Sequence, residues 1–223
     1  MKPSPQVLGI FAKYWQPGAV KTRLGLSIGN AAAAELYRVF VETMLLRFQA
    51  LDARLQLCFD PIERQAEFDQ VAGATWQVIP QCDGDLGRRM HYFFDDAFRN
   101  GAQRAVLIGS DTPNLPLGIV QQAMSALDNV DVVLGPSLDG GYYLIGLAHD
   151  IPSIFDDISW STPHVWQQTV ERLVDLRLPF VQLAPWYDVD EFDDLERLRN
   201  DLILNPQEDL QALLKQVRRA LES

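Results

Sequence analysis

Residues 105–116 read AVLIGSDTPNLP, from Ala105 to Pro116, and this stretch decides the fold. Ala105 to Gly109 are all apolar or glycine, as expected of a strand buried on both faces in the middle of a parallel sheet. The run then stops: Ser110, Asp111 and Thr112 are polar, and Pro113 and Pro116 cannot donate to a ladder. Asp111 therefore falls at the end of a central strand, the rim where open α/β sheets bind ligands. A carboxylate there can hold a metal. It can also cap the next helix or close an Asx turn, and the stretch alone leaves both open.

Toward the C-terminus, a helix is predicted over Leu117 to Leu127 and a strand over Val130 to Leu134. The strand runs into LGPSLDGGYYLIGL, in which Tyr142 to Leu147 reads as another strand. Asp139, Gly140, Gly141 and Tyr142 are candidates to line a substrate, because paired glycines permit close backbone approach or positive φ; a plain hairpin turn is the alternative. Thr162 and Pro163 read as the cap and first residue of a helix, and Phe180 to Ala184 as a last strand. WYDVD follows, with Asp188 and Asp190 on one side of an extended chain, where they can complete a divalent-metal site begun by Asp111. Asp190 can instead cap the helix EFDDLERLRNDLIL, with Asp193 or Asp194 in its first turn. A terminal helix, Pro206 to Leu221, carries an apolar face.

Toward the N-terminus, helix and strand alternate: Leu86 to Asn100, Trp76 to Pro80, Pro61 to Val71, Leu55 to Phe59. Such alternation predicts a parallel sheet built from βαβ units. Ahead of the helix at Leu86, QCDGDLGRR places Arg88 and Arg89 in a first helical turn, against the dipole. They either meet an anionic ligand or pair with Asp83, Asp85, Asp95 or Asp96. Asn30 is expected to cap the helix that begins with four alanines, and Val7 to Ala12 to form the first strand. Between them KYWQPGAVKTRL gathers Lys13, Lys21 and Arg23 around the Pro17-Gly18 turn. Lys13, Gly18, Lys21 and Arg23 are candidates to wrap phosphates; a solvated basic loop is the simpler alternative. The loop matches neither GxxxxGK[ST] nor GxGxxG.

The chain has 223 residues, 48% apolar and 22% charged, with no linker, repeat or low-complexity tract, and one domain over 1–223 is expected. A net charge of −11 excludes electrostatic attachment to nucleic acid or anionic membrane, so any phosphate must be met by a local basic cluster. MKPSPQVLGIFAK is too short in its apolar run and too broken by proline for a signal peptide, and a cytoplasmic setting is expected. Cys58 and Cys82 match no metal spacing and are expected to be free thiols.

Lys13 with PGAVKTRL, GDLGRRM at Gly84 to Met90, IGSDTPNL at Ile108 to Leu115, LGPSLDGGYYLIGL, WSTPHV and the DVD element occur in one order along nearly the whole chain. In that order they resemble the bacterial rSAM/selenodomain-associated transferases, glycosyltransferase-like members of the nucleotide-diphospho-sugar transferase superfamily. KTRL is also similar to the guanylyltransferase acting on phospholactate, and the strand-end aspartate before proline to sugar-phosphate and molybdenum-cofactor nucleotidyltransferases. The resemblance implies a GT-A-like three-layer α/β/α sandwich with a mainly parallel, mixed sheet. It implies a transferase using an activated nucleotide and Mg²⁺ or Mn²⁺, with an unknown small-molecule acceptor. Glycosyl transfer from a nucleotide-diphospho-sugar leads; nucleotidyl transfer releasing pyrophosphate and a non-catalytic nucleotide-binding domain are the alternatives. Carried over residue by residue, Lys13, Lys21 and Arg23 meet phosphates, with Lys21 and Arg23 assisting catalysis, Asp111 binds the metal, and Asp188 or Asp190 supplies a second carboxylate. One departure stands out: GT-A glycosyltransferases usually carry DxD at the strand end, and here Thr112 and Pro113 follow Asp111.

Overall fold

The computed structural model describes residues 5–222; Met1 to Ser4, which begin the stretch weighed above as a signal peptide, lie outside the described residues, as does Ser223. The chain opens with strand β1 (Gln6–Lys13), helices α1 (Thr22–Ile28) and α2 (Asn30–Phe48), and strand β2 (Arg54–Asp60). It continues through α3 (Gln65–Ala72), β3 (Gln77–Pro80), α4 (Leu86–Arg99) and β4 (Arg104–Gly109). The second half holds α5 (Leu117–Ala126), β5 (Val132–Pro136), β6 (Tyr142–Leu147), α6 (Val165–Asp175), β7 (Phe180–Gln182), α7 (Phe192–Leu204) and α8 (Gln211–Leu221).

The seven strands form one sheet in the order β3-β2-β1-β4-β6-β5-β7. Only β6 runs antiparallel to its neighbours, so the sheet is mixed but largely parallel. β1 and β4 lie side by side at its centre and are apolar on both faces for that reason. Along β1, Leu8, Ile10 and Ala12 enter a core shared with α2, α5, α7 and α8, while Val7 and Phe11 enter another shared with α4. β4 splits in the same way, Val106 and Ile108 to the first core and Ala105 and Leu107 to the second. Helices thus cover both faces in a three-layer α/β/α sandwich, as expected. Gly9 lies on the α4 face, where a Cβ would stand 2.4 Å from the Phe93 ring; the missing side chain lets α4 approach the sheet.

Register brings the candidate segments to one rim. β1 and β2 pair to Lys13 and Asp60 and β1 and β4 to Phe11 and Gly109, so the three strands end together. The antiparallel pairing of β6 with β4 brings the start of β6 to the same rim. An isolated bridge between Ser137 and Trp186 carries the chain beyond β7 along that edge.

Several local expectations are corrected. KTRL is not loop: Thr22 already begins α1, with Lys21 at its N-cap in a left-handed conformation, φ 47°. Gly29, not Asn30, occupies the N-cap of α2, because its φ of 84° turns the chain between two abutting helices. Thr162 and Pro163 do not start α6; the helix begins at Val165 after Ser161 takes φ 63°, and the Thr162 hydroxyl is used on the Ser159 carbonyl and the His164 amide. Asp190 does not cap α7. Glu191 does, in a capping box with Asp194, because the Asp190 carboxylate is engaged by Lys21. Asp111 caps nothing either, since the N-cap of α5 is Pro116.

Candidate active site

The β1–α1 connection, the end of β4 and the WYDVD segment meet around the ammonium of Lys21. Its Nζ is ion-paired with Asp111 and, at 2.8 Å, with Asp190, while its own side chain is only 3% exposed. Burial alone would lower the Lys21 pKa, but the two carboxylates outweigh it and hold the ammonium above the usual lysine range. Lys21 is therefore not an exposed loop charge, as its sequence setting suggests. Two residues on, Arg23 is largely exposed and reaches Glu191 at 3.4 Å, so a second ion pair runs beside the first.

Asp188 belongs to the same group. Burial first, then the charges of Asp111, Asp139 and Asp190, push its carboxyl up to about 7, against a smaller opposing pull from Lys21. Val189, fully buried, donates its amide to the Asp111 carbonyl at 2.9 Å. That bond fixes WYDVD against the end of β4, and the extended alternation then sets Asp188 and Asp190 on the side opposite Val189. Carboxylates from two segments nearly 80 residues apart are thus brought together. Among the described residues, no three carboxylate, imidazole or thiolate groups stand as a ready-made metal site.

Three residues that sequence reading passed over build this arrangement. Asn114 donates to the Tyr187 hydroxyl at 2.8 Å and accepts from the Trp186 indole at 3.3 Å; Tyr187 donates to Asp201 at 2.6 Å. Tyr37 bonds Ser110 at 2.6 Å and accepts from the Lys13 amide at 3.0 Å, tying the ends of β1 and β4 together. Burial, aided by Asp111, pushes the Tyr37 phenol up to about 12, so it stays neutral. Asn114 was visible within TPN; Tyr37 was indistinguishable from the helical core positions around it.

The remaining candidates lie around this centre. Lys13 is exposed at the end of β1, and Gly18 takes φ 79° in an exposed turn. Arg88 is exposed at the start of α4, where Asp85 caps its amide at 2.9 Å, while Arg89 pairs with Asp60 at 3.1 Å rather than with Asp83, Asp85, Asp95 or Asp96. Asp139 closes the β5–β6 turn, accepting from the Ser137 hydroxyl and from the Gly141 amide at 3.0 Å. Gly140 has φ 91°, and a Cβ there would lie 2.3 Å from the Pro163 carbonyl: the close approach its sequence suggested is to the WSTPHV loop. Tyr142 packs into the α4-side core, its hydroxyl 3.7 Å from the Met90 sulfur, so the structure joins it to that core and not to the Lys21 group. Cys58 and Cys82 are free, and no helix among the described residues is long and apolar enough to cross a membrane.

The fold and a 38% identical relative together make this chain a member of the GT-A-like nucleotide-diphospho-sugar transferase superfamily. The crystal structure of a candidate nucleotide-diphospho-sugar transferase from Desulfovibrio desulfuricans is 38% identical, over 97% of this chain and 98% of that one, with a TM-score of 0.89. The chain belongs to the family described as uncharacterized proteins conserved in bacteria (DUF2064), whose model matches residues 44–162. The fold alone is shared with a cytidylyltransferase from Leptospira borgpetersenii, 12% identical over 98% of this chain and 95% of that one, TM-score 0.60. It is likewise shared with a CMP:2-keto-3-deoxy-manno-octonic acid synthetase complexed with CTP, 13% identical over 89% and 98%, TM-score 0.56. No curated protein matches the chain.

Proposed function

We propose that this chain, acting as one domain in the cytoplasm, is a divalent-cation-dependent transferase that moves a glycosyl group from a nucleotide-diphospho-sugar to a small-molecule acceptor. The observation that carries the reading is the convergence of Asp111, Asp188 and Asp190 on the rim of the sheet, with Asp139 in electrostatic range and one ammonium among them. Mg²⁺ and Mn²⁺ are hard cations that take one or two protein carboxylates together with substrate phosphates; Asp111 and Asp190 would supply those carboxylates, and the Lys21 ammonium already stands between them as a cation. When bound, such an ion would neutralise the diphosphate leaving group. The exposed side chains of Lys13, Arg23 and Arg88 would orient phosphates. The Asp139–Gly141 turn, rigid through its docking on Pro163, would border the transferred group.

The glycosyl label is supported by the 38% identical relative and by the motif series shared with the rSAM/selenodomain-associated transferases. Nucleotidyl transfer from a triphosphate is the second reading. What favours it is that the carboxylates come from two distant segments, after β4 and after β7, and not from one strand-end DxD.

The test is product analysis with Mg²⁺ and panels of nucleotide sugars and nucleoside triphosphates. A released nucleoside diphosphate marks glycosyl transfer and pyrophosphate marks nucleotidyl transfer. Asp111→Asn, which keeps shape but removes charge, should abolish turnover and the Mg²⁺ dependence of nucleotide binding while the chain stays folded. An Asp111→Asn protein that binds nucleotide with undiminished Mg²⁺ dependence would sink the metal role. Nucleotide binding without any product would leave a non-catalytic nucleotide-binding domain.

A further inference from the structure

We propose that Lys21 is an internal counter-ion: it occupies the cation position between Asp111 and Asp190 in the ligand-free protein and yields it when a divalent cation arrives with nucleotide. The inference rests on the metal-dependent reading above and adds to it an order of events.

Three features of the geometry carry it. The Lys21 stem is 3% exposed, yet the Asp111 and Asp190 side chains that it joins are 43% and 42% exposed. The ammonium thus reaches the carboxylates from the protein side while their other faces stay open, so an incoming ion can contact the same residues from solvent. Second, the ammonium has partners that hold it in place, 5.8 Å and 5.9 Å from the Tyr37 and Phe40 ring centres, so it is positioned and not merely close. Third, one unit of positive charge faces the two carboxylates of Asp111 and Asp190, an imbalance that a divalent ion corrects and an ammonium does not.

Exchange also keeps every charge matched. The carboxylates pass to the metal, and the released ammonium, on a flexible four-carbon stem, meets the phosphates that the metal brings. Arg23 repeats the arrangement at the surface, where its 3.4 Å pair with Glu191 can be traded for a phosphate at little cost. Metal alone would bring no replacement partner for Lys21, so it should bind poorly. With nucleotide it should bind well.

Mn²⁺ titration followed by electron paramagnetic resonance separates this from a purely structural ion pair. Wild-type protein should bind Mn²⁺ weakly alone and more tightly with a nucleoside diphosphate. Lys21→Met should bind Mn²⁺ alone about tenfold or more tighter than wild type, because a unit positive charge a few ångströms away has been removed. It should also lose most of its nucleotide-dependent gain. Lys21→Gln, which retains a donor without charge, replaces the methionine variant if circular dichroism shows that variant to be unfolded, and the same tightening is expected. Equal or weaker Mn²⁺ binding by the folded, uncharged variant overturns the exchange and leaves the metal site standing. Absence of Mn²⁺ binding in every form, with and without nucleotide, overturns both.

Discussion

Asp188 is held near Asp111, Asp139 and Asp190 in a position where its charge is opposed by burial and by all three neighbours. Its carboxyl is pushed up to about 7, whereas an unfolded chain would ionise it near the usual ~3.9. The folded state therefore holds the proton more tightly than the unfolded state, and stability contributed at this position falls as pH rises between those two values. Asp188→Asn removes the penalty. In the presence of a chelator, the variant should melt higher than wild type at pH 8, and the difference should shrink as pH is lowered to 5. A difference that does not change with pH would show that Asp188 is not the titrating group. Lys21 also holds its proton more tightly in the folded state, because its pairing keeps it above the ordinary lysine range, so its contribution is lost only at alkaline pH and it stays charged through all these conditions.

At the scale of elements, the rim is assembled by turns that dock on one another. The β5–β6 turn rests on the loop before α6 through Gly140, whose carbonyl also accepts from the Trp166 amide at 2.8 Å. Gly140→Ala must force a side chain into a left-handed backbone and against the Pro163 carbonyl. A cost of about 1–3 kcal/mol is expected from the backbone alone. At roughly 2–4 °C per kcal/mol for a chain of this size, the melting midpoint should drop by several degrees. Gly141→Ala is the milder comparison: its φ is not positive, and a Cβ 3.3 Å from the Ser137 hydroxyl needs only a shift of that side chain by a few tenths of an ångström, so a smaller drop than for Gly140→Ala is expected. Equal midpoints for the two variants would mean that Gly140 is not under the constraint described. A similar interlock joins α4 to the same loop, where a Cβ on Gly87 would stand 2.4 Å from the Trp160 indole.

At the scale of the whole molecule, the site draws on segments from the first strand to the start of α7, so its ligands should report on global stability. A ligand that binds only the folded state at a hundred times its dissociation constant adds about 2.7 kcal/mol. Mg²⁺ or nucleotide alone should raise the melting midpoint little, and the two together by more than the sum of their separate shifts. Additive shifts would indicate independent sites and contradict the shared one. The net charge of −11 sharpens this expectation, because a nucleotide must approach a molecule whose overall field repels it, and under the proposed function it would be met by the local cations Lys13, Arg23 and Arg88.

What the sequence determined by itself was whatever is written in local periodicity and in the stops that end it. The two-faced apolar runs of β1 and β4, the alternation of helix with strand, and Asp111 at a strand end all follow from short-range patterns, and the sandwich follows from them. The spacing of Asp188 and Asp190 was legible for the same reason, since alternation along an extended chain is local. Only the tertiary structure decided that Lys21 is a buried partner of Asp111 and Asp190, residues 90 and 169 positions away, and that Gly140 answers to Pro163. It also turned Tyr142 into core. The reason is physical: a lysine in a Pro-Gly loop carries the same local signal whether solvent or a carboxylate receives its charge, and that choice is made by the strand order that sets β1 beside β4.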